Sequence, residues 1–111
     1  MEAFDKMKAL LTAGDALWGK EEFLDAYMKY EKITKIATAD NMPIERILSN
    51  SKTKDVVISA YVMMINMNQF NIEQHINVEI NKVQLAENLL LAEKFGYVSP
   101  EKSKPAKKKI G

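Results

Sequence analysis

The chain contains no cysteine, which removes a disulfide framework, a thiol nucleophile and cysteine-ligated zinc together. It also fits a reducing compartment. His75 is the single histidine, so a histidine-based metal site is not expected, and His75 reads as a surface or hydrogen-bonded helix residue. Glycine is scarce as well. The four glycines fall at expected helix ends, inside the first helix or at the terminus, and none builds a phosphate-cradling loop. The best uninterrupted apolar run, VVISAYVMMI at residues 56–65, is far short of the roughly 18 residues of a membrane span. The opening MEAFDKMKALL mixes acidic and basic residues, unlike the charged start and apolar run of a signal peptide. These absences point to a non-enzymatic, cytoplasmic protein with no cofactor, metal or membrane partner. Glu21, Glu22 and Asp25 are the nearest approach to an acidic catalytic cluster. A magnesium-dependent hydrolase needs carboxylates converging from two helices, whereas Glu73, Glu79, Glu87 and Glu93 are dispersed.

What is present suits a globular domain: 111 residues, 47% hydrophobic and 28% charged, enough for one core with little surplus. A net charge of +1 conceals an asymmetry. Residues 1–50 carry seven Lys/Arg against nine Asp/Glu, residues 51–97 four against five, and residues 98–111 five Lys against Glu101 alone. A mildly acidic body therefore bears a basic tail.

Helical periodicity dominates the body. Phe4, Met7, Leu11, Gly14 and Trp18 share a face, with Leu10 and Leu17 alongside. Gly19 is the expected stop, as a residue tolerant of the left-handed conformation. A second helix is predicted from about Lys20 to Ala39, striped by Phe23, Ala26, Tyr27, Tyr30, Ile33 and Ile36, and antiparallel to the first because the connection is short. Asp40-Asn41-Met42-Pro43 separates it from a short third helix at Ile44, Ile47 and Leu48. Residues 54–68 are apolar nearly all round, and residues 71–95 read as one long helix stopped by Gly96. A β-hairpin of 56–65 with the alternating INVEINKV (76–83) is the competing arrangement. Six of the eight asparagines lie between residues 66 and 88, which weakens helix propensity there. The expectation is an all-α domain over 1–97, of about five helices in antiparallel hairpins, followed by a disordered tail, SPEKSKPAKKKIG, within 98–111.

The spacing of Leu10, Ala13, Gly14, Leu17, Phe23, Ala26 and Tyr30 resembles a tetratricopeptide repeat, a 34-residue antiparallel helix pair. In that register Gly14 and Ala26 take the small crossing positions, Phe23 the aromatic that opens the second helix, and Tyr30 the aromatic after it. Ile33 and Thr38 depart from the pattern, standing where alanine and proline are preferred. A weaker second unit over 41–70 would use Ile44, Ile47, Val57, Ala60 and Met64, with Leu48 misplaced at a small position. The resemblance implies a concave groove for a peptide or helix, faced by Lys8, Leu11, Asp15 and Trp18. The repeats that grip a terminal carboxylate use Lys and Asn at two of these places, where Leu11 and Asp15 stand here. The competing reading puts Leu11 and Trp18 in the core. With at most two units, closure of the stack falls to the last helix, to self-association or to a partner.

The reading is thus a small adaptor acting through protein–protein contact. The alternative is a nucleic-acid accessory protein whose tail lysines, Lys102, Lys104, Lys107, Lys108 and Lys109, neutralise phosphates in a salt-sensitive, sequence-independent manner. PAKKKIG is also similar to a minimal nuclear-import signal, relevant only in a eukaryotic host. Met63, Met64 and Met67 could form an adaptable groove or simply be core. Ile76, Val83, Leu90 and Tyr97 recur every seven residues, but Glu79, Ala86 and Glu93 three positions on break a two-position seam. A homo-oligomer through another face stays open.

Overall fold

The structure, a computed structural model, describes residues 3–39 and 42–98. Five α-helices account for the regular structure of the described residues: α1 (Ala3–Gly19), α2 (Phe23–Ala37), α3 (Ile44–Leu48), α4 (Ser51–Glu73) and α5 (Val78–Lys94). The β-hairpin alternative is overturned, because 56–65 lies within α4 and 78–83 opens α5. The basic tail lies outside the described residues.

α1 packs on α2, α2 on α4, and α4 on α5, with α1 and α3 also against α4. The core is built from Met7, Ala26, Tyr30, Ile33, Ala37, Ile47, Val56, Val57, Ala60, Tyr61, Met64, Ile65, Ala92 and Phe95. Two small residues set the first seam. Ala26 is wholly buried, and a Cβ on Gly14 would stand 2.7 Å from Cε1 of Tyr30, so the Tyr30 ring occupies the space that any other side chain at position 14 needs. The Tyr30 hydroxyl donates to Oδ1 of Asp15 at 2.7 Å, spanning the same seam.

The α4–α5 seam is built differently. Asn68, Asn81 and Asn88 are all buried. Nδ2 of Asn68 donates to Oδ1 of Asn81 (3.0 Å) and Oε1 of Gln84 (3.1 Å), while its Oδ1 accepts from Nδ2 of Asn88 (2.9 Å). Asn71 donates to the same Asn81 oxygen, and Asn81 donates back to the carbonyls of Ile76 and Asn77. The Tyr27 hydroxyl on α2 accepts from Asn88 and donates to Gln84. Each amide that leaves water here finds partners, which offsets its desolvation. The asparagine-rich stretch is therefore the lock between the last two helices.

Helix ends explain where the sequence reading shifts. α1 stops in a Schellman arrangement: Glu22 N–H donates to Leu17 C=O and Glu21 N–H to Trp18 C=O, both at 2.9 Å, with Glu21 at φ 63°. Gly19 is the last residue of α1 and the left-handed residue is Glu21, so α2 opens at Phe23 rather than Lys20. The same motif ends α4. Ile76 N–H reaches Asn71 C=O at 2.8 Å and His75 N–H reaches Ile72 C=O at 3.1 Å, with His75 at φ 61° and Asn77 at φ 43°. This reversal overturns the single helix expected over 71–95: α4 runs on to Glu73 and the chain turns back at 74–77. Gly96, at φ 104°, ends α5 as expected, and Tyr97 N–H closes on Ala92 C=O. At the other end of α4, Asn50 caps the helix by accepting the Thr53 N–H at 3.1 Å. The stretch expected to hold a second repeat unit, 41–70, contains the five-residue α3 and most of α4, and α4 finds its main neighbour in α5.

Candidate binding cleft

Trp18 sits near the end of α1, half-buried against the core. The short α1–α2 turn brings Phe23 edge-on to it, with ring centroids 5.0 Å apart at 74°, and Tyr30 lies behind at 6.4 Å. Edge-to-face contacts of this kind fix ring orientation as well as adding stability. Across from the turn, the C-terminal half of α4 presents Asn66, Met67 and Phe70. Together these five residues, Trp18, Phe23, Asn66, Met67 and Phe70, line a small cleft of about 140 Å³ whose walls are almost wholly apolar. Phe70 is 51% exposed at its edge. An apolar cavity of comparable size holds a ligand as large as benzene, so the cleft fits one large apolar side chain.

Of the four residues expected to face a groove, Trp18 alone lines this cleft. Leu11 is half-buried and packs against the core. Asp15 is exposed and holds the Tyr30 hydroxyl. Lys8 is exposed one turn beyond, and its carbonyl accepts from the Thr12 hydroxyl. Asp15 thus braces the first seam while its neighbours on the helix differ in depth. Of the three methionines, Met64 is core and Met63 packs beside it; Met67 reaches the cleft. Phe23, Asn66 and Phe70 are the residues that sequence reasoning did not place there: Phe23 was read only as the aromatic opening α2, and Asn66 and Phe70 lie on α4 with no spacing signal to Trp18.

A second concavity, about 630 Å³ and wide open, lies between the start of α1, the end of α2, α3 and the start of α4. It is bordered by Phe4, Lys6, Ile36, Met42, Arg46 and Asn50, among others. Its basic residues are solvated at the rim, so it offers less desolvation than the Trp18 cleft.

Two phenols are perturbed. The Tyr30 hydroxyl is held well above its ordinary range by burial and by the hydrogen bond and negative charge of Asp15. Burial pushes Tyr61 up to about 12, slightly opposed by the Thr34 hydroxyl. The Thr34 proton itself goes to the Glu31 carbonyl at 2.7 Å, and the Tyr61 oxygen is without a hydrogen-bond partner of good geometry. Both perturbations belong to packing, since neither phenol lines the cleft. Among the described residues, no three His, Cys, Asp or Glu side chains converge to hold a metal ion, and no helix is long and apolar enough to cross a membrane. The tail residues Lys102, Lys104, Lys107, Lys108 and Lys109 lie outside the described residues. No family model, curated protein or solved structure matches the chain.

Proposed function

We propose that this protein is a small helical interaction module whose Trp18 cleft accepts a large apolar side chain from a protein or peptide partner. The observation that carries the proposal is the apolar lining contributed by two separate elements, the α1–α2 turn and α4, with an exposed aromatic edge at Phe70. Pockets that desolvate an aromatic anchor tend to dominate binding energy at interfaces. Trp18 is also the sole tryptophan, so its emission reports occupancy directly.

The test is peptide-display selection against the full chain. Enriched peptides are expected to share one large apolar residue and to shift Trp18 emission. Phe70→Ala should weaken their binding at least tenfold while leaving helicity unchanged, since Phe70 is half-exposed and outside the core. Enriched peptides that bind Phe70→Ala as well as the parent chain sink the cleft. Removal of residues 99–111 separates the alternative: an adaptor keeps its peptide, and a tail-dependent nucleic-acid binder loses its affinity for labelled DNA or RNA.

A further inference from the structure

The two outer layers of the stack differ in what they show to solvent. On α1 the exposed positions are Asp5, Lys6, Lys8, Ala9, Thr12, Asp15, Ala16 and Gly19, the polar or small surface expected of a terminal layer. On α5, the opposite end, the exposed positions include Ile80 (61%), Val83 (66%) and Leu90 (60%). α1 closes its end and α5 does not. The segment after Val98, SPEKSKPAKKKIG, offers Ile110 as its one large apolar side chain, too little to cover this stripe.

We infer that the open face of α5 is the seam of an antiparallel homodimer, with its two-fold axis level with Ala86 and Glu87. The occupant follows from self-complementarity. In that register Val83 of one copy lies opposite Leu90 of the other, and Glu79 opposite Lys94, each pair occurring twice because the interface is isologous. Val83 meets Leu90 twice, acid meets base at both ends, and the small Ala86 lies at the crossing point. Ile80, level with Glu93, stands beside the seam rather than in an apolar pair. Glu79, Val83, Ala86, Glu87, Leu90 and Lys94 are all exposed on the free chain. Parallel pairing would instead set Glu79 against Glu79 and Lys94 against Lys94, which is repulsive. Back-to-back pairing also leaves the polar α1 layer at both ends of the doubled stack. The two Glu87 carboxylates approach each other near the two-fold, and one helix pair is smaller than a standard interface of about 800 Å² per partner. Association is therefore concentration-dependent.

Sedimentation equilibrium of the full chain across a wide concentration range tests the inference. The mass should rise from 12.6 kDa toward twice that value. Leu90→Glu should hold the chain monomeric with unchanged helicity, and Glu87→Gln should tighten the pair several-fold. Phe70→Ala, in the separate Trp18 cleft, should leave association unchanged, which keeps this result distinct from the peptide-binding one. The cysteine-free background supplies the register. A mixture of Val83→Cys and Leu90→Cys chains should cross-link under mild oxidation. Neither alone should do so, because like positions lie seven residues, about 10 Å, apart along the seam, beyond disulfide reach. A chain that stays monomeric at the highest concentration, the outcome if the face serves a foreign helix, overturns the inference. So does a dimer indifferent to Leu90→Glu, or a cross-link formed by Val83→Cys alone.

Discussion

The two long hairpins of this molecule achieve helix pairing by opposite means. α1 and α2 close on a missing side chain: Gly14 leaves the space that the Tyr30 ring fills, and Ala26 lets the helices approach. α4 and α5 close on polar amides, with Asn68 fully buried between Asn81, Gln84 and Asn88. The first seam gains its fit from shape, and small errors there are steric. The second gains its fit from donor–acceptor matching, so its errors leave polar groups unpaired in a low-dielectric interior. Shape tolerates sliding better than hydrogen bonding does. The amide seam consequently fixes one register for α5, including the face that it turns outward.

Breaking each seam at its centre is the most direct test. Asn68→Ala removes three hydrogen bonds at once and leaves Asn88 and Gln84 only their contacts with the Tyr27 hydroxyl, and the Asn81 oxygen only its bond from Asn71. A loss of about 3 kcal/mol is expected, combining the cavity with the three lost hydrogen bonds, read as a lower urea midpoint by circular dichroism. A loss under about 1 kcal/mol would mean that the network is dispensable. Gly14→Ala acts on the first seam. Its methyl group collides with a ring that Asp15 pins, an overpacking of about 2–3 kcal/mol, against a helix-propensity gain of about 1 kcal/mol. The net expected loss is about 1–2 kcal/mol. A more stable Gly14→Ala chain would show that the Tyr30 ring moves freely and that shape does not set this seam.

The same contrast explains what could be read from sequence. The first hairpin announced itself, because small and aromatic residues at Gly14, Ala26 and Tyr30 have a spacing dictated by helix geometry. All-helical class, five helices and the Gly96 stop were legible for the same reason. The second hairpin was hidden. Its asparagines look like residues that weaken a helix, and nothing in a linear pattern says that Asn68 will face Asn81 and Asn88. The turn at 74–77 was hidden too, since its left-handed positions carry His75 and Asn77, and α1 likewise stops at Glu21 rather than at its glycine. At the cleft, Trp18 was among the residues that the repeat resemblance turned toward a groove, whereas Phe70 enters only through the tertiary placement of α4.

Alkaline pH separates the two buried phenols of the seams. Both folded-state values are raised above the unfolded value of 10.0, so the neutral phenols favour the fold. Their contribution is fully present below about pH 10 and is lost as pH rises toward 12 and beyond. Stability set by these groups is therefore flat from neutrality to about pH 10 and falls above it, measured as the urea midpoint at stepped pH. The two hydroxyls differ in kind. Tyr30→Phe loses the 2.7 Å bond to Asp15, and an expected cost of about 1 kcal/mol at neutral pH follows. Tyr61→Phe removes a buried oxygen that has no partner while keeping the stack on Phe95 at 6.0 Å. It should be neutral or stabilising at pH 7 and should lessen the alkaline loss. A destabilised Tyr61→Phe chain at neutral pH would place a bonded partner on that hydroxyl.

The smallest expected effects lie at the helix stops, one in each hairpin. Glu21 and His75 both hold positive φ inside hydrogen-bonded Schellman turns, the position that glycine occupies without steric cost. A side chain there meets its own backbone, at a cost of about 1–2 kcal/mol, while glycine adds back unfolded-state entropy of about 0.5–1 kcal/mol. Glu21→Gly and His75→Gly should therefore each stabilise the fold by a few tenths to about 1 kcal/mol. Because the two turns lie at the ends of different hairpins, the double variant should show additive gains. The site of each gain can be resolved by amide exchange, with protection rising at Trp18–Glu22 in one case and at Ile72–Ile76 in the other. If only His75→Gly gained, the α1 stop would be held by contacts of the Glu21 side chain itself. The first hairpin would then owe its turn to a residue chosen for its charge, and the second to backbone geometry alone.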